Sequence, residues 1–265
     1  MAEQVIQFSV FTKPWKQPLP ELAGMVRGWG FDGIELPVRP GYQVAPEQAG
    51  RDLPAAAKVL ADQGLRIFSV AAPGGPVAEE LVAACAEAGV PVIRIMMSVG
   101  PDGYMATEAR TRHELEVLVP ILQRYGVTIG VQNHCDACLS NAMGLRHLLE
   151  PFAPREVAAV WDAAHNALNG EDPELAIDII WDHLCMVNLK NAYWRRVNGP
   201  EAEVVKWRPW WTSGPQGLAS WPRVVAELRR RAYQGVVCLT AEYSEEAAVN
   251  RLIAEDIAFA KRLFA

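Results

Sequence analysis

Residues 92–133 read VIRIMMSVGPDGYMATEARTRHELEVLVPILQRYGVTIGVQN, and this stretch decides the fold. Val92–Met97 is a short apolar run of strand character, Thr107–Tyr125 carries its apolar residues at helical spacing, Gly126 offers a helix stop, and Thr128–Asn133 is again a strand. Two strands joined through a helix run parallel, because a parallel partner is reached only by a crossover. The same unit recurs on both sides. Strands are predicted at Val5–Phe11, Gly33–Leu36 and Arg66–Ala71 before it, and at Val157–Asp162, Cys185–Lys190 and Val236–Ala241 after it. Helical stretches include Leu53–Gln63, Val77–Ala88, Pro222–Arg231 and Glu246–Phe264, and Gly30, Gly64, Gly89 and Gly235 join Gly126 as stops before the next strand. Strands and helices in this alternation predict an α/β fold closed as a (β/α)8 TIM barrel, one domain over residues 1–265. The competitor is an open doubly wound sheet, but no glycine-rich fingerprint opens its first helix.

Composition agrees and excludes several functions. The 265 residues sit near the roughly 250 usual for such a barrel. With 51% hydrophobic residues the chain can fill a large core, and a net charge of −6 lacks the basic face that nucleic acid or an anionic membrane would need. No apolar run approaches the ~18 residues of a membrane span, and Met1–Gln4 leads into the first strand with no export signal. Five scattered cysteines (Cys85, Cys135, Cys138, Cys185 and Cys238) fit free thiols in a reducing compartment, so a cytoplasmic protein is expected. Cys135-Asp136-Ala137-Cys138 has the spacing of a redox or zinc motif but no second pair to complete one, and reads as two free thiols.

Two connections are long. Pro37–Gly50 reads as a loop. Asn191–Ser220 greatly exceeds the ~2–6 residues usual between strand and helix, and carries Trp194, Trp207, Trp210 and Trp211 with Arg195, Arg196, Lys206 and Arg208. On a barrel it emerges on the catalytic face. One reading is a lid in which Trp194, Arg195 and Trp211 contact substrate; the other is a packed loop or a subunit contact, consistent with a homodimer.

In a barrel the polar residues at strand C-terminal ends build the site. The last four strands end in Gln132-Asn133-His134, in Asp162 with His165, in Asn188-Leu189-Lys190-Asn191, and in Glu242-Tyr243. Each interrupts an apolar run. Arg94, inside another apolar strand, is expected to reach a barrel carboxylate or to form an end-capping ion pair.

The segments VTIGVQNHCD, VWDAAH, MVNLKN, GPQGLASW and LTAEY resemble the xylose isomerase-like barrel family of sugar isomerases and epimerases, which includes the endonuclease IV group. The likeness covers nearly the whole chain and is strongest from Val127 onward. It implies a divalent metal held by four side chains, at the positions of Gln132, Asp162, Asn188 and Glu242, and substrate contacts from His134, His165 and Lys190. Asn191 stands where the family has an Asp, and Glu35 matches an acidic position that faces the same cavity.

Two departures matter. Family members have Glu where this chain has Gln132, and His where it has Asn188. One carboxylate and one imidazole are lost, so Mn²⁺, Mg²⁺ or Zn²⁺ is expected to bind weakly or not at all, zinc suffering most from the loss of imidazole. The amide of Gln132 takes up no proton, which leaves Glu242 as the expected general base. His134 and His165 are assigned to proton transfer and hydroxyl binding, Lys190 to an oxyanion, and Asp162 either to a metal or to orienting His or Lys. The resemblance implies an isomerase or epimerase moving a proton next to a carbonyl of a small sugar. The alternatives are a lyase eliminating from a keto sugar and a catalytically silent sugar-binding protein. An abasic-site nuclease is disfavoured, because it uses a richer His/Asp/Glu cluster and the chain is acidic.

Overall fold

The computed structural model describes residues 6–265; Met1–Gln4 and Val5 lie outside the described residues. Eight parallel strands close into a barrel. They are β1 (Ile6–Phe11), β2 (Gly33–Pro37), β3 (Arg66–Ala71), β4 (Val92–Met96), β5 (Thr128–Gln132), β6 (Val157–Asp162), β7 (Leu184–Leu189) and, after an inserted hairpin of β8 (Asn191–Arg196) and β9 (Trp207–Thr212), β10 (Gly235–Leu239). The order round the barrel is β1-β10-β7-β6-β5-β4-β3-β2, so β1 and β10 complete the ring. Outside run α1 (Leu19–Trp29), α2 (Ala49–Ala61), α3 (Glu79–Glu87), α4 (Tyr104–Tyr125), α5 (Ala142–Leu149), α6 (Ala163–Leu168), α7 (Pro173–Ile180), α8 (Trp221–Arg230) and α9 (Val249–Phe264). The open-sheet alternative is excluded by this closure.

Strand periodicity positions the site. Phe11, Ala71, Val160, Met186 and Cys238 pack together inside the barrel, apart from the larger core between strands and helices. Two residues further along the same face, Val160 is followed by Asp162 and Met186 by Asn188, so the apolar plug gives way to a buried polar layer. Glu35, Ser69, Arg94, Gln132, Asp162 and Asn188 are all buried. Asp162 and Asn188 are register partners on β6 and β7.

Two details of the connections differ from the sequence reading. Gly30, Gly64, Gly89 and Gly126 have positive φ after their helices, as expected, but Gly235 starts β10, and the positive-φ residue after α8 is Ala232 (φ 53°). The segment Asn191–Ser220 is largely a two-stranded antiparallel hairpin, with Asn191 opposite Thr212 and Arg196 opposite Trp207. Its base is pinned: Ser244 Oγ accepts from the Trp211 amide at 2.9 Å, and the Ser244 amide donates to Trp211 O at 3.0 Å. No helix among the described residues is long and apolar enough to cross a membrane, and all five cysteines are free.

Candidate active site

At the C-terminal mouth of the barrel, Glu242 lies between two ammonium groups. Lys190 Nζ donates to Oε2 at 2.7 Å, and Lys13 Nζ donates to Oε1. Lys190 follows β7 directly, and its Nζ also sits 3.7 Å from the centroid of the Trp211 ring, so cation–π attraction and an ion pair fix one buried ammonium. Lys13 comes from the turn after β1, where Tyr42 Oη donates to its carbonyl at 3.1 Å. Glu242 is turned into the mouth by Ala241, whose φ of 52° lies in the left-handed region that a non-glycine residue rarely adopts. Burial would raise the Glu242 carboxyl, but Lys190 and Lys13 outweigh it and hold the group well below its usual 4.5. Its neighbour Tyr243 turns away, donating to Asp256 Oδ2 at 2.8 Å.

Beneath this rim the polar layer is wired side to side. Arg94 Nε donates to Glu35 Oε1 at 2.8 Å, Ser69 Oγ donates to the same oxygen at 3.0 Å, and a second Arg94 nitrogen donates to Gln132 Oε1. Gln132 Nε2 donates to Asp162 Oδ2 at 3.0 Å. Asp162 Oδ1 caps α6, accepting from the amides of Ala164 and His165 at 3.0 and 3.1 Å. Burial, foremost, raises the Asp162 carboxyl above its usual value. Asn133, buried beside it, accepts from the Asp162 amide at 2.7 Å and donates to its carbonyl at 3.1 Å, which locks the end of β6 to the end of β5.

The two histidines stack, with ring centroids 3.9 Å apart, and one peptide gives them opposite tautomers. Nδ1 of His134 lies 2.8 Å from the Cys135 carbonyl, which only accepts, so in the neutral ring Nδ1 carries the proton and Nε2 the lone pair. The Cys135 amide donates to His165 Nδ1 at 3.1 Å, so the proton of that ring is on Nε2. His165 is fully buried, and burial, with Lys190, His134 and Arg94 adding to it, holds it well below its usual 6.5. The fold therefore keeps His165 neutral.

A cavity of about 730 Å³ is lined by Lys13, Lys16, Tyr42, Trp211, Glu242 and Tyr243. A second, of about 650 Å³, includes Arg39, Tyr42, Arg94, Met97 and Arg110 in its lining. Tyr42 belongs to both. Each is within the ~300–1,000 Å³ usual for small-molecule sites.

A model of the xylose isomerase-like TIM barrel family matches residues 25–263, most of the chain. The chain belongs to that family. Among solved structures, L-ribulose 3-epimerase is similar with a TM-score of 0.75 and 14% identity, over 98% of this chain and 95% of that one. The 3-keto-D-glucoside 4-epimerase of E. coli gives 0.72 and 13%, over 97% and 99%. A probable 3-DHS dehydratase from Bacillus anthracis gives 0.73 and 14%, over 96% and 98%. At these identities the likeness shows the shared fold. No curated protein matches the chain.

The structure sorts the residues that family resemblance had grouped. Glu242, Lys190 and Trp211 meet at the mouth, and His134 reaches them only through the His165 ring that it packs against. His165 lies beneath them, its ring 5.2 Å from Trp211, too buried to meet a substrate without movement. Glu35 is buried as well and acts through Arg94, the barrel carboxylate that this arginine was expected to find. Asn191 is spent inside the protein: its amide donates to Gly214 O and Ala219 O, and its oxygen accepts from the amides of Ala192 and Ala219. Gly217 is needed for this arrangement, since a Cβ there would lie 2.1 Å from Asn191 Oδ1. The close approach that Gly214 and Gly217 permit thus serves Trp221 and Asn191. Trp194 and Arg195 are exposed on the hairpin, Trp194 donating to Leu168 O and Arg195 stacking on Trp210. Asn191, Trp194 and Arg195 therefore have no place in the mouth.

The four expected metal positions do not fit a divalent cation. The Gln132 oxygen is taken by Arg94, Asp162 by Gln132 and by the start of α6, and Glu242 by two ammonium groups. Only Asn188 has both side-chain polar atoms buried without a partner. His134, Cys135 and His165 bring three potential ligand atoms within 4.8 Å. However, the Nε2 proton of His165 blocks ligation there until it moves to Nδ1 and the Cys135 bond is lost, and burial, its largest cause, pushes the Cys135 thiol up to about 12.

Sequence reasoning missed Lys13. The signal was the polar pair Thr12-Lys13 directly after an apolar strand, the same cue that exposed the other clusters.

The neutral state of His165 predicts a pH dependence. Its folded pKa lies below the unfolded one, so the unfolded chain binds the extra proton first, and stability falls as pH drops below about 6.5. Urea unfolding at pH 7.5 and at pH 5, each held to about 0.1 unit, should show the loss, and His165→Gln should shrink it. An unchanged difference in the variant would assign the acid sensitivity elsewhere.

Proposed function

We infer that this protein is an enzyme of the sugar isomerase and epimerase kind, moving a proton on the carbon next to a carbonyl of a small sugar or sugar derivative. The observation that carries this reading is the Lys13–Glu242–Lys190 group at the barrel mouth: Glu242 and Lys13 line a cavity of about 730 Å³, and the buried Lys190 ammonium holds the second oxygen of the same carboxylate. Proton removal beside a carbonyl needs a base for the proton and a cation for the oxygen that gains charge. Glu242 is the base, and Lys190 with Lys13 supplies the cation.

The ammonium groups have a second effect. While both sit on Glu242 its carboxylate is a weak base. A substrate carbonyl that draws them onto its own oxygen raises the basicity of Glu242 when it is needed, and charge on that oxygen strengthens the transfer. His134, with a free Nε2 lone pair, receives or returns a proton on the other side or accepts from a hydroxyl. Trp211 gives the sugar ring an apolar face beside Lys190.

Elimination from a keto sugar is the second reading, favoured by one feature. A 3-epimerisation with two matched carboxylates is not available, because Gln132 is an amide clamped between Arg94 and Asp162. One base and one acid suffice for elimination, and Glu242 with Lys190 or His134 provides them. Incubation with a panel of keto sugars, aldoses and oxidised sugars, followed by NMR of the products, tests the assignment. A new epimer or isomer supports the first reading, an enone the second, and binding without change of any sugar would contradict both and leave a silent binding protein.

A further inference from the structure

The charges of the polar layer close without a metal. Glu35, Asp162 and Glu242 contribute three carboxylates, and Arg94, Lys13 and Lys190 contribute three cations on or next to them. Arg94 touches Glu35 and Gln132, and Gln132 passes the connection to Asp162. Lys13 and Lys190 each take one oxygen of Glu242. A dication brought to these positions would meet three like charges, and of the oxygens it needs, those of Gln132, Asp162 and Glu242 already accept hydrogen bonds, which leaves that of Asn188 alone without one. Gln132 explains why Arg94 stays in place: a neutral oxygen accepts from the guanidinium, while the amide nitrogen satisfies Asp162, two roles that a carboxylate cannot combine.

We propose that Lys13, Lys190 and Arg94 stand in place of the divalent cation in this site, Lys13 and Lys190 polarising the substrate oxygen and Arg94 holding the floor beneath it. The inference rests on reading the Glu242 group as the active site. An ammonium is a compact charge with three donors and needs no coordination sphere, so it can lie between Glu242 and a carbonyl oxygen and lean toward either. Lys13 is the more accessible member, with a side chain 43% exposed against 5% for Lys190. It follows that the two departures at Gln132 and Asn188 do not explain metal exclusion by themselves. Reversing them adds ligands but leaves the ammonium groups.

Mn²⁺ titration, by calorimetry and by the spin signal of the free ion, tests this without any substrate. Four proteins are compared after dialysis against chelator: the wild type, Gln132→Glu/Asn188→His, and that pair with either Lys13→Met or Lys13→Arg. Circular dichroism verifies the fold; Lys13 lies at the rim with its side chain 43% exposed, and Met keeps most of the length of its aliphatic stem. The wild type should retain no Mn²⁺. Adding Lys13→Met to the pair should tighten binding by about tenfold or more, because a like charge near a dication in a partly buried site costs that much or more. Lys13→Arg keeps the charge and should bind no better than the pair alone. In the wild-type background, Lys13→Met alone should also bind Mn²⁺ more tightly than its parent, which reads the proposal even if the multiple variants fail to fold. Stoichiometric Mn²⁺ held by the wild type, no tightening with Lys13→Met, or equal tightening with Lys13→Arg would each overturn it. Since no sugar is involved, a failure here leaves the functional reading standing, and a protein that turns over no sugar leaves the cation result standing.

Discussion

Glu242→Gln is expected to lower turnover by about 10²–10⁴-fold, the usual loss when a general base is removed. The change is nearly isosteric, so cavity and hairpin should persist. Stability, however, should not stay level. Lys190 is 5% exposed and loses its counter-ion, leaving one amide oxygen where two charged oxygens held two ammonium groups. A loss of about 1–3 kcal/mol follows from weakening hydrogen bonds to charged groups. The acid limb supplies an independent check. The Glu242 carboxyl lies below its unfolded value of 4.5, so its contribution is present above that pH and disappears as the pH falls below it; in the variant this part of the acid loss should be absent. Turnover near that of the wild type would remove Glu242 from the role of base, whatever the stability shows.

Arg94→Met should give the largest loss of stability, about 3–5 kcal/mol, because it leaves a buried carboxylate uncompensated. Arg94 and Glu35 are 6% and 0% exposed, Glu35 Oε2 already lacks a partner, and Gln132 would lose its donor as well. Neutralising the stranded charge should restore much of the loss, so Arg94→Met/Glu35→Gln is expected to be more stable than Arg94→Met alone. Urea unfolding of the two variants and the wild type decides it. If Arg94→Met costs under about 1 kcal/mol, the pair is not buried as described and the charge balance of the site fails with it.

The barrel was legible because parallel strands covered on both faces leave near-continuous apolar runs, and each polar interruption at a strand end then stands out. Arg94 within β4 was visible for that reason, Glu35 within β2 through the family resemblance, and their pairing compensates two buried charges. The hairpin was not legible: Asn191–Arg196 and Trp207–Thr212 mix charge, aromatics and Pro209, and β9 is partly exposed along its length, so neither run looks like a strand. Residues whose role depends on distant backbone escaped in the other direction. Asn191 follows Lys190 and looked like a substrate contact, yet its partners are carbonyls and amides some twenty-odd positions away. The opposite tautomers of His134 and His165 are set by the Cys135 peptide, which no spacing reveals. Lys13 is separated from Glu242 by nearly the whole chain and meets it only because the first and last barrel strands pair.

The central claim is proton transfer beside a carbonyl with Glu242 as base, and solvent exchange measures it directly. A sugar that the protein accepts, incubated in D₂O and followed by proton NMR and mass spectrometry, should acquire deuterium at the carbon next to the carbonyl, at a rate that falls by about 10²-fold or more in Glu242→Gln. A sugar shown to bind but gaining no deuterium at that carbon, or a variant that exchanges as fast as the wild type, would contradict the account.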